Sequence, residues 1–333
     1  MGKANYLFKR IAKMNFGKFF ETIDDVHKKC GKSKIFLFFD CITCGLRYQA
    51  GYVDYQLFEM YKMNREERKT IVTRGINNEI MKKFNDERFF KYFSDKALFN
   101  EKFGKYLNRE WLYLTEDNFE DFERFMRSRK TVIVKPTVGS CGKGVEKLEI
   151  SDDEDLQILY EKLLKENTRL IEDVAMQCEQ IGKLHPNSIN TVRVVTLKGK
   201  VAVAFLRIGN NGNVVDNFNH EGLVAPIDVE DGIIKYVAID KVHNEYAEHP
   251  LTKERIVGLE IPRWSEIVDL CEEASSIVPE IGYTGWDVCV GNDKVFLIEG
   301  NEFPGHDLYQ LPPHREGNMG LLPMFKRIME ENK

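Results

Sequence analysis

The 333 residues carry 48 Lys+Arg against 53 Asp+Glu, a formal charge of -5, so no overall basic excess marks a nucleic-acid binder. The length exceeds one ordinary core and predicts two or three packed units with room for a cleft between them. Apolar runs such as Ile35 to Phe39 are far shorter than the ~20 residues a membrane-spanning helix needs.

The seven cysteines are scattered and odd in number, with no signal-peptide pattern. That fits free thiols and a reducing, cytoplasmic compartment. Cys41 and Cys44 form a lone C-x-x-C with no second pair at zinc-ribbon spacing, and two half-buried thiols are expected there. At the start of the chain Lys9, Arg10, Lys13 and Lys18 interleave with Leu7, Phe8, Ile11, Phe16, Phe19 and Phe20. This pattern suits a helix packed on its own domain with its lysines solvated, or one making peripheral contact with an anionic membrane or a partner.

From Tyr55 to Trp111 charge and aromatics recur at helical spacing, for example Phe84, Phe89, Phe90 and Phe93. After Thr115 strands and helices alternate. A helix near Asp117 to Arg127 precedes a strand from Thr131 to Lys135, a glycine turn and a return strand from Val145 to Ile150. Ser151 and Glu154 read as a capping box for a helix whose Leu156, Leu159, Tyr160, Leu163 and Leu164 share one face. A strand over Arg169 to Val174 follows, then a hairpin turning through Lys198 and Gly199, a helix near Trp264 to Ile277 and a last hairpin turning through Gly291, Asn292 and Asp293. The expected organisation is a helical N-terminal region at 1–110, a small lobe at 111–173 and a large lobe at 174–333.

Three stretches carry chemistry. VIVKPTVGSCGKGV places Lys135 before a glycine turn with a second lysine, Lys143, which suggests a phosphate site. Val145 follows Gly144 where a Walker A loop would need Ser or Thr, and Lys147 replaces the third glycine of a dinucleotide fingerprint. In the last hairpin a three-residue turn sets Val290 opposite Lys294, so Asp287 lies opposite Leu297 and diagonal to Glu299. Asn301 continues that face by the period of two, giving three oxygen ligands suited to Mg²⁺, or a solvated face that happens to carry two acids. In HPNSINTVRVVTL, Arg193 is either a solvent-facing alternate or a cleft-facing fork for phosphate or carboxylate.

A lysine strand with a glycine turn, an E-x6-E hinge at Glu172 and Glu179, an arginine strand and D-x11-E-x-N, in that order, resemble the ATP-grasp superfamily from about Lys96 to the C-terminus. DYQLFEMYKMNREERKTIVT, SDKALFNEKF, HPNSINTVRVVTL, LRIG, VDNF and EGNEFPG are similar, more narrowly, to its sugar-transfer and surface-polysaccharide branch from about Tyr52. The resemblance implies an α+β ATP-grasp fold of two lobes clasping ATP, with the helical region in front. It implies that Lys96 and Lys135 contact phosphates and that the turn Gly139 to Gly144, with Ser140, Gly142, Lys143 and Gly144, closes over the phosphate tail. Glu172, Asp173, Val174 and Ala175 would bind adenine, mostly by backbone, and Glu179 the ribose. Asp287, Glu299 and Asn301 would hold Mg²⁺. Arg193 and Arg207 would face the transferred phosphoryl group or the acceptor, with Asn217 nearby and His306 and Asp307 as acceptor contacts.

The chain departs from the pattern after VDNF, where Asn219, His220, Glu221 and Gly222 stand in place of a glycine pair. Cys141, inside the turn, reads as a small residue rather than a nucleophile. The expected activity is ATP-dependent, ADP-forming carboxylate–amine ligation on a sugar-linked or small-molecule carboxylate. The alternatives are a kinase of the same fold using His220 or His306 as base, and a nucleotide-binding scaffold of a glycan-assembly complex.

Overall fold

The computed structural model describes residues 15–139, 144–211, 218 and 221–331. Expectations resting on residues 1–14, on Ser140, Cys141, Gly142 and Lys143 of the turn, and on Asn217, Asn219 and His220 lie outside the described residues. The chain divides into two compact units, Met1–Lys83 with Gly305–Lys333, and Phe84–Pro304. The C-terminal segment thus belongs with the N-terminal helices, and residues 84–110 belong with the sheets.

The first unit is helical. Asn15 caps the helix Phe16–Cys30 by accepting from the Lys18 N–H at 3.1 Å, and Gly31 ends it at φ 70°. Its Phe19, Ile23 and Val26 pack with Leu37, Cys41, Cys44 and Tyr48 of the helix Lys34–Tyr48 in one buried cluster with Tyr55, Phe58 and Tyr61. Cys41 and Cys44 are therefore fully buried rather than half-buried, and burial pushes both thiols up to about 12. Arg68 clamps Asp40 with two bonds of 2.7 Å. The C-terminal segment is tied in by Gln310, which accepts from the Val72 N–H at 3.0 Å and donates to the Val72 carbonyl at 2.6 Å.

The second unit holds two antiparallel sheets. The smaller has the order β1-β4-β2-β3, with β1 Trp111–Tyr113, β2 Thr131–Lys135, β3 Glu146–Glu149 and β4 Leu170–Asp173. Helices Phe119–Arg127 and Leu156–Lys165 cover it through Phe122, Met126, Leu156, Tyr160 and Leu163. The second of these is capped by Asp155, whose carboxylate accepts from the N–H groups of Gln157 and Ile158, and not by the expected Ser151. Ser151 and Glu154 instead form a turn ahead of the helix, with Asp155 better placed because its side chain reaches both orphan donors.

The larger sheet has the order β11-β10-β5-β6-β7-β8-β9. Its strands are β5 Val192–Leu197, β6 Lys200–Ile208, β7 Leu223–Ile227, β8 Ala238–Ile239, β9 Glu245–Tyr246, β10 Tyr283–Val290 and β11 Val295–Asn301. Lys198 and Gly199, both at positive φ, make the two-residue turn between β5 and β6. The helix Trp264–Ser275 packs on this sheet through Ile267, Cys271 and Ala274.

The polar turn HPNSIN is a buried knot. Asn190 donates to the carbonyls of Ile181 and His185 at 3.0 and 3.3 Å and accepts from the Gly209 N–H at 3.0 Å. His185 and His249 lie with ring centroids 5.8 Å apart. His249 Nε2 donates to the Gly209 carbonyl at 2.9 Å, which leaves Nδ1 to accept from Leu251 and Thr252. Protonating Nδ1 would set it against two N–H donors. Burial lowers both histidines below the ordinary 6.5, so the unfolded chain binds protons there at a pH where the folded chain does not. Stability is therefore present above about pH 6.5 and falls as pH drops below it, by up to about 1.4 kcal/mol per pH unit for each histidine. We predict that His249→Gln, which keeps a donor for Gly209 but cannot titrate, flattens the fall in melting temperature between about pH 7 and pH 5. An unchanged slope would remove His249 from the acid response.

Candidate active site

β2 runs TVIVK, with Val132 and Val134 buried beneath the covering helices, and delivers Lys135 to the opposite face of the sheet. Ile133 stands opposite Glu172 on β4, so Lys135 and Glu172 share that face as diagonal neighbours. Their ion pair is 2.6 Å long and almost completely buried. The same carboxylate takes Arg109 Nε at 3.0 Å and Asn100 Nδ2 at 2.7 Å. Burial opposes the ionisation of Glu172, but Lys135 and Arg109 outweigh it and hold the carboxyl at about 2. Lys135 is pushed down by burial, which Glu172 only partly offsets while Arg109 adds to it. One carboxylate facing two cations leaves a positive charge in excess, and an anion beside Lys135 would balance it.

Lys96 opens the helix Lys96–Phe103, which Asp95 caps through the N–H groups of Ala97 and Leu98. Its backbone N–H donates to the Thr137 carbonyl and its ammonium to the Gly139 carbonyl, each at 2.8 Å. The entry to the glycine turn is thereby pinned to a helix start. At the exit Gly144 has φ 72°, and a Cβ there would come within 3.1 Å of Pro136.

Opposite these lysines lies the β10–β11 hairpin, whose register differs from the one expected. Val290 pairs with Val295, which makes the turn four residues long. That register alone would set Asp287 against Ile298 and send Glu299 to the other face. A β-bulge between Asp287 and Val288 absorbs one extra residue of β11, so Asp287 faces Glu299 directly and Gly285 faces Asn301. Between the last two, Gly300 is required by packing, because a Cβ would meet Phe99, Phe93 and Trp286 at 2.9 to 3.0 Å.

Arg193, directly across from Asp287 on β5, donates to both of its oxygens through Nε and Nη2, and Arg207 Nη1 adds a bond of 3.0 Å. Arg193 is thus a fork for a carboxylate of this chain, and both arginines are turned onto Asp287. Burial alone would raise Asp287, but the two guanidiniums hold it below the usual carboxylate range. Glu299, hydrogen-bonded to Asp287, is raised by burial and by that negative neighbour. Asn301 Nδ2 is buried and has no hydrogen-bond partner.

These residues fit a hard divalent cation. Two facing carboxyls of which one is driven toward neutrality would both ionise beside such a charge, Asn301 would offer its Oδ1, and its unpartnered Nδ2 is a donor left for an oxygen of a bound anion. Among the described residues no group of three or more His, Cys, Asp or Glu could hold a metal; the set here is two acids and an amide.

Lys96, Lys135, Gly139, Glu299 and Asn301 line one cavity of about 320 Å³, with Phe93, Phe99 and Asn100 on its wall. The adenine and ribose candidates are not part of this lining. Glu172 spends its side chain on Lys135, and Asp173 pairs with Arg129 while accepting from the Glu110 N–H at 2.9 Å. Val174 and Ala175 follow the end of β4 in a partly exposed connection. Glu179 is exposed and paired with Lys183 at 2.8 Å. His306 is buried in the first unit, 2.9 Å from Asp54, with Nδ1 unpartnered. Asp307 is partly buried in the same unit.

With Lys96, Lys135, Gly139, Glu299 and Asn301 around one cavity, comparison with known proteins is decisive for the family. A profile described as sugar-transfer associated ATP-grasp matches residues 75–328. The chain belongs to this family. The segment Asp54 to Thr73, counted in the resemblance above, lies outside the match.

Among solved structures, the ATP-grasp ligase PsnB complexed with minimal precursor is similar at 14% identity and a TM-score of 0.45, over 75% of this chain and 63% of that one. D-cycloserine synthetase DcsG is similar at 11% identity and a TM-score of 0.44, over 75% and 74% of the two chains. D-alanine–D-alanine ligase from Bacillus anthracis is similar at 13% identity and a TM-score of 0.40, over 72% and 66%. The chain spans a little under two thirds of the PsnB chain it matches. Comparison with curated proteins finds no match.

Three residues at this candidate site were not legible beforehand. Arg109 also donates to the carbonyls of Leu297 and Ile298, at 2.7 and 2.8 Å, so one guanidinium holds both the partner of Lys135 and the bulge that aims Glu299. Asn100 steadies Glu172, and Glu302 joins the cavity lining with its carboxyl raised by burial. Nothing in their spacing marks Arg109 or Asn100, which act from a loop and a helix distant in sequence from the groups they bind, while Glu302 directly follows Asn301 and its type alone gives it no role. We predict that Lys135→Ala weakens ADP binding by about 1.5 to 3 kcal/mol, as for a charge-assisted hydrogen bond, and also lowers the melting temperature, since it takes a buried partner from Glu172. Arg109→Ala takes the other buried cation from Glu172 and also leaves the carbonyls of Leu297 and Ile298 without their donor, and is expected to lower stability by about 3 kcal/mol or more. Calorimetric titration and thermal melts check both, and a melting loss for Arg109→Ala no larger than that for Lys135→Ala would contradict the wider bracing role of Arg109.

Proposed function

We propose that the protein is an ATP-dependent ligase that joins a carboxylate to an amine with release of ADP and phosphate. The observation that carries this reading is one cavity lined by Lys96, Lys135, Glu299 and Asn301, with Asp287 directly behind Glu299 across the hairpin. In it the four-stranded sheet with its turn acts as the small lobe and the seven-stranded sheet as the large one. Lys135 and Lys96 neutralise phosphate oxygens of ATP, and the turn supplies backbone N–H groups. Val174 and Ala175 are assigned to adenine and Glu179 to ribose. Glu299, Asn301 and Asp287 would hold Mg²⁺, which when bound draws charge from the phosphates and positions them.

A substrate carboxylate oxygen attacks the γ-phosphorus as the bond to the ADP oxygen breaks, giving an acyl phosphate. The amine nitrogen then attacks the carbonyl carbon, phosphate leaves with the bonding pair, and the nitrogen gives up its proton. Arg193 and Arg207 keep Asp287 ionised and lie beside the reacting groups, where they stabilise developing negative charge. The proposed carboxylate is sugar-linked, a choice supported by the family's association with sugar transfer.

ADP release measured with panels of uronic acids, amino acids and short peptides, with and without amines, tests the reading. Amine-dependent ADP release with an amide product is expected. A phosphorylated product formed without amine would instead identify a kinase. Glu299→Gln should cut turnover by at least about tenfold while keeping a cooperative melt, because a neutral amide is a poorer ligand for a hard cation. Full turnover in this variant would remove Glu299 from the metal set.

A further inference from the structure

The helix Lys34–Tyr48 is apolar on two opposite sides. Leu37, Cys41, Cys44 and Tyr48, spaced by four, three and four residues, are buried in the first unit. Ile35, Phe39, Ile42 and Leu46 repeat that spacing on the outside, where Ile35 is 72% and Phe39 62% exposed. Phe16 and Phe20 of the preceding helix are also exposed, and Phe20 stacks on Phe38, which contacts Phe39 edge-on, so the patch is continuous across both helices. The charged residues of the helix are Lys34, Asp40 and Arg47. Asp40 is turned away onto Arg68 and Tyr55. An outward face this apolar is costly in water and marks a surface that is covered in use.

The charges around the patch indicate what covers it. Residues 16–48 carry six Lys and Arg against four Asp and Glu, in a chain whose formal charge is -5. Of the four acids, Asp24 and Asp25 are paired with Lys34 and Lys28 and Asp40 with Arg68, while Glu21 makes no ion pair among the described residues. Lys18, Lys29 and Arg47 make no ion pair among the described residues, and Lys32 lies over the Phe36 ring while donating to the Tyr61 carbonyl. A second copy docked on this face would bring Lys34 and Arg47 against their own kind in either helix orientation. An anionic surface would meet cations at both ends of the helix. With 15 residues the helix is too short to cross a bilayer, and no described helix is long and apolar enough to do so.

We propose that this two-helix face docks on an anionic lipid bilayer, with Ile35, Phe39, Ile42 and Leu46 entering the headgroup–acyl boundary and Lys18, Lys32 and Arg47 at the lipid phosphates. Such docking brings the chain to substrates carried on lipid, and it holds whether or not the ligase reading does.

Flotation of the full chain with vesicles tests it. Partition into phosphatidylcholine vesicles containing roughly 30% phosphatidylglycerol should exceed partition into pure phosphatidylcholine by about tenfold or more, and should fall as salt is raised. The double change Phe39→Ser with Ile42→Ser should lower partition by at least about tenfold at an unchanged melting temperature, these side chains being exposed. Ile35→Ser with Leu46→Ser serves as an independent pair, and Lys18→Glu with Arg47→Glu should bring binding down to the neutral-vesicle level. No binding by the full chain, or binding untouched by both serine pairs, overturns the proposal. So does a dimer in sedimentation velocity that the same serine pairs abolish, which would assign the face to a second copy.

Discussion

The carboxylate of Glu172 is the constraint on which the rest of the candidate site depends. It is buried, so it persists as an anion only because Lys135 and Arg109 face it and Asn100 donates to it. The same arrangement fixes the ammonium of Lys135 at the cavity wall and leaves the cations undercompensated. A buried ion network of this kind contributes little to stability compared with well-packed apolar groups, and its use lies in holding charge in a defined place. Here that place is the side of the cavity facing the acid pair.

Arg109 extends the constraint from one sheet to the other. By binding the carbonyls of Leu297 and Ile298 it satisfies the backbone groups that the bulge in β11 takes out of the ladder. The bulge decides which face Glu299 occupies, and the aromatic packing of Phe93, Phe99 and Trp286 against Gly300 holds the strand beyond it. Cation and acid positions are therefore set by one connected network, with Asp287 tied in turn to β5 and β6 through Arg193 and Arg207.

The first unit has a different logic. Its core is built by two 15-residue helices and the residues up to Ile71, a returning C-terminal segment is tied on through Gln310, and one helix spends apolar residues on both sides. An interior face can be explained by folding alone. The exterior one cannot, since a helix of 15 residues needs one apolar stripe to pack and gains nothing in water from a second.

Several features followed from the sequence alone because they rest on local rules. The strand ending in Lys135 was visible as a β-branched run before a glycine turn, the β5–β6 hairpin as a two-residue Lys-Gly turn, and the helix after Pro262 from its periodicity. The order of lysine strand, hinge, arginine strand and D-x11-E-x-N likewise made the family legible, and the profile match agrees with it. Tertiary structure decided what depends on partners far along the chain. The expected three-residue turn gave way to a bulged register because a bulge is stabilised by Arg109, 188 residues away, and not by the turn itself. Glu172 went to Lys135 rather than remaining free at a hinge, because an uncompensated lysine at the end of β2 is costly to bury. The apolar outer face of Lys34–Tyr48 was equally hidden, since residue type shows that a side chain is apolar but only packing shows which of two such faces is used inside.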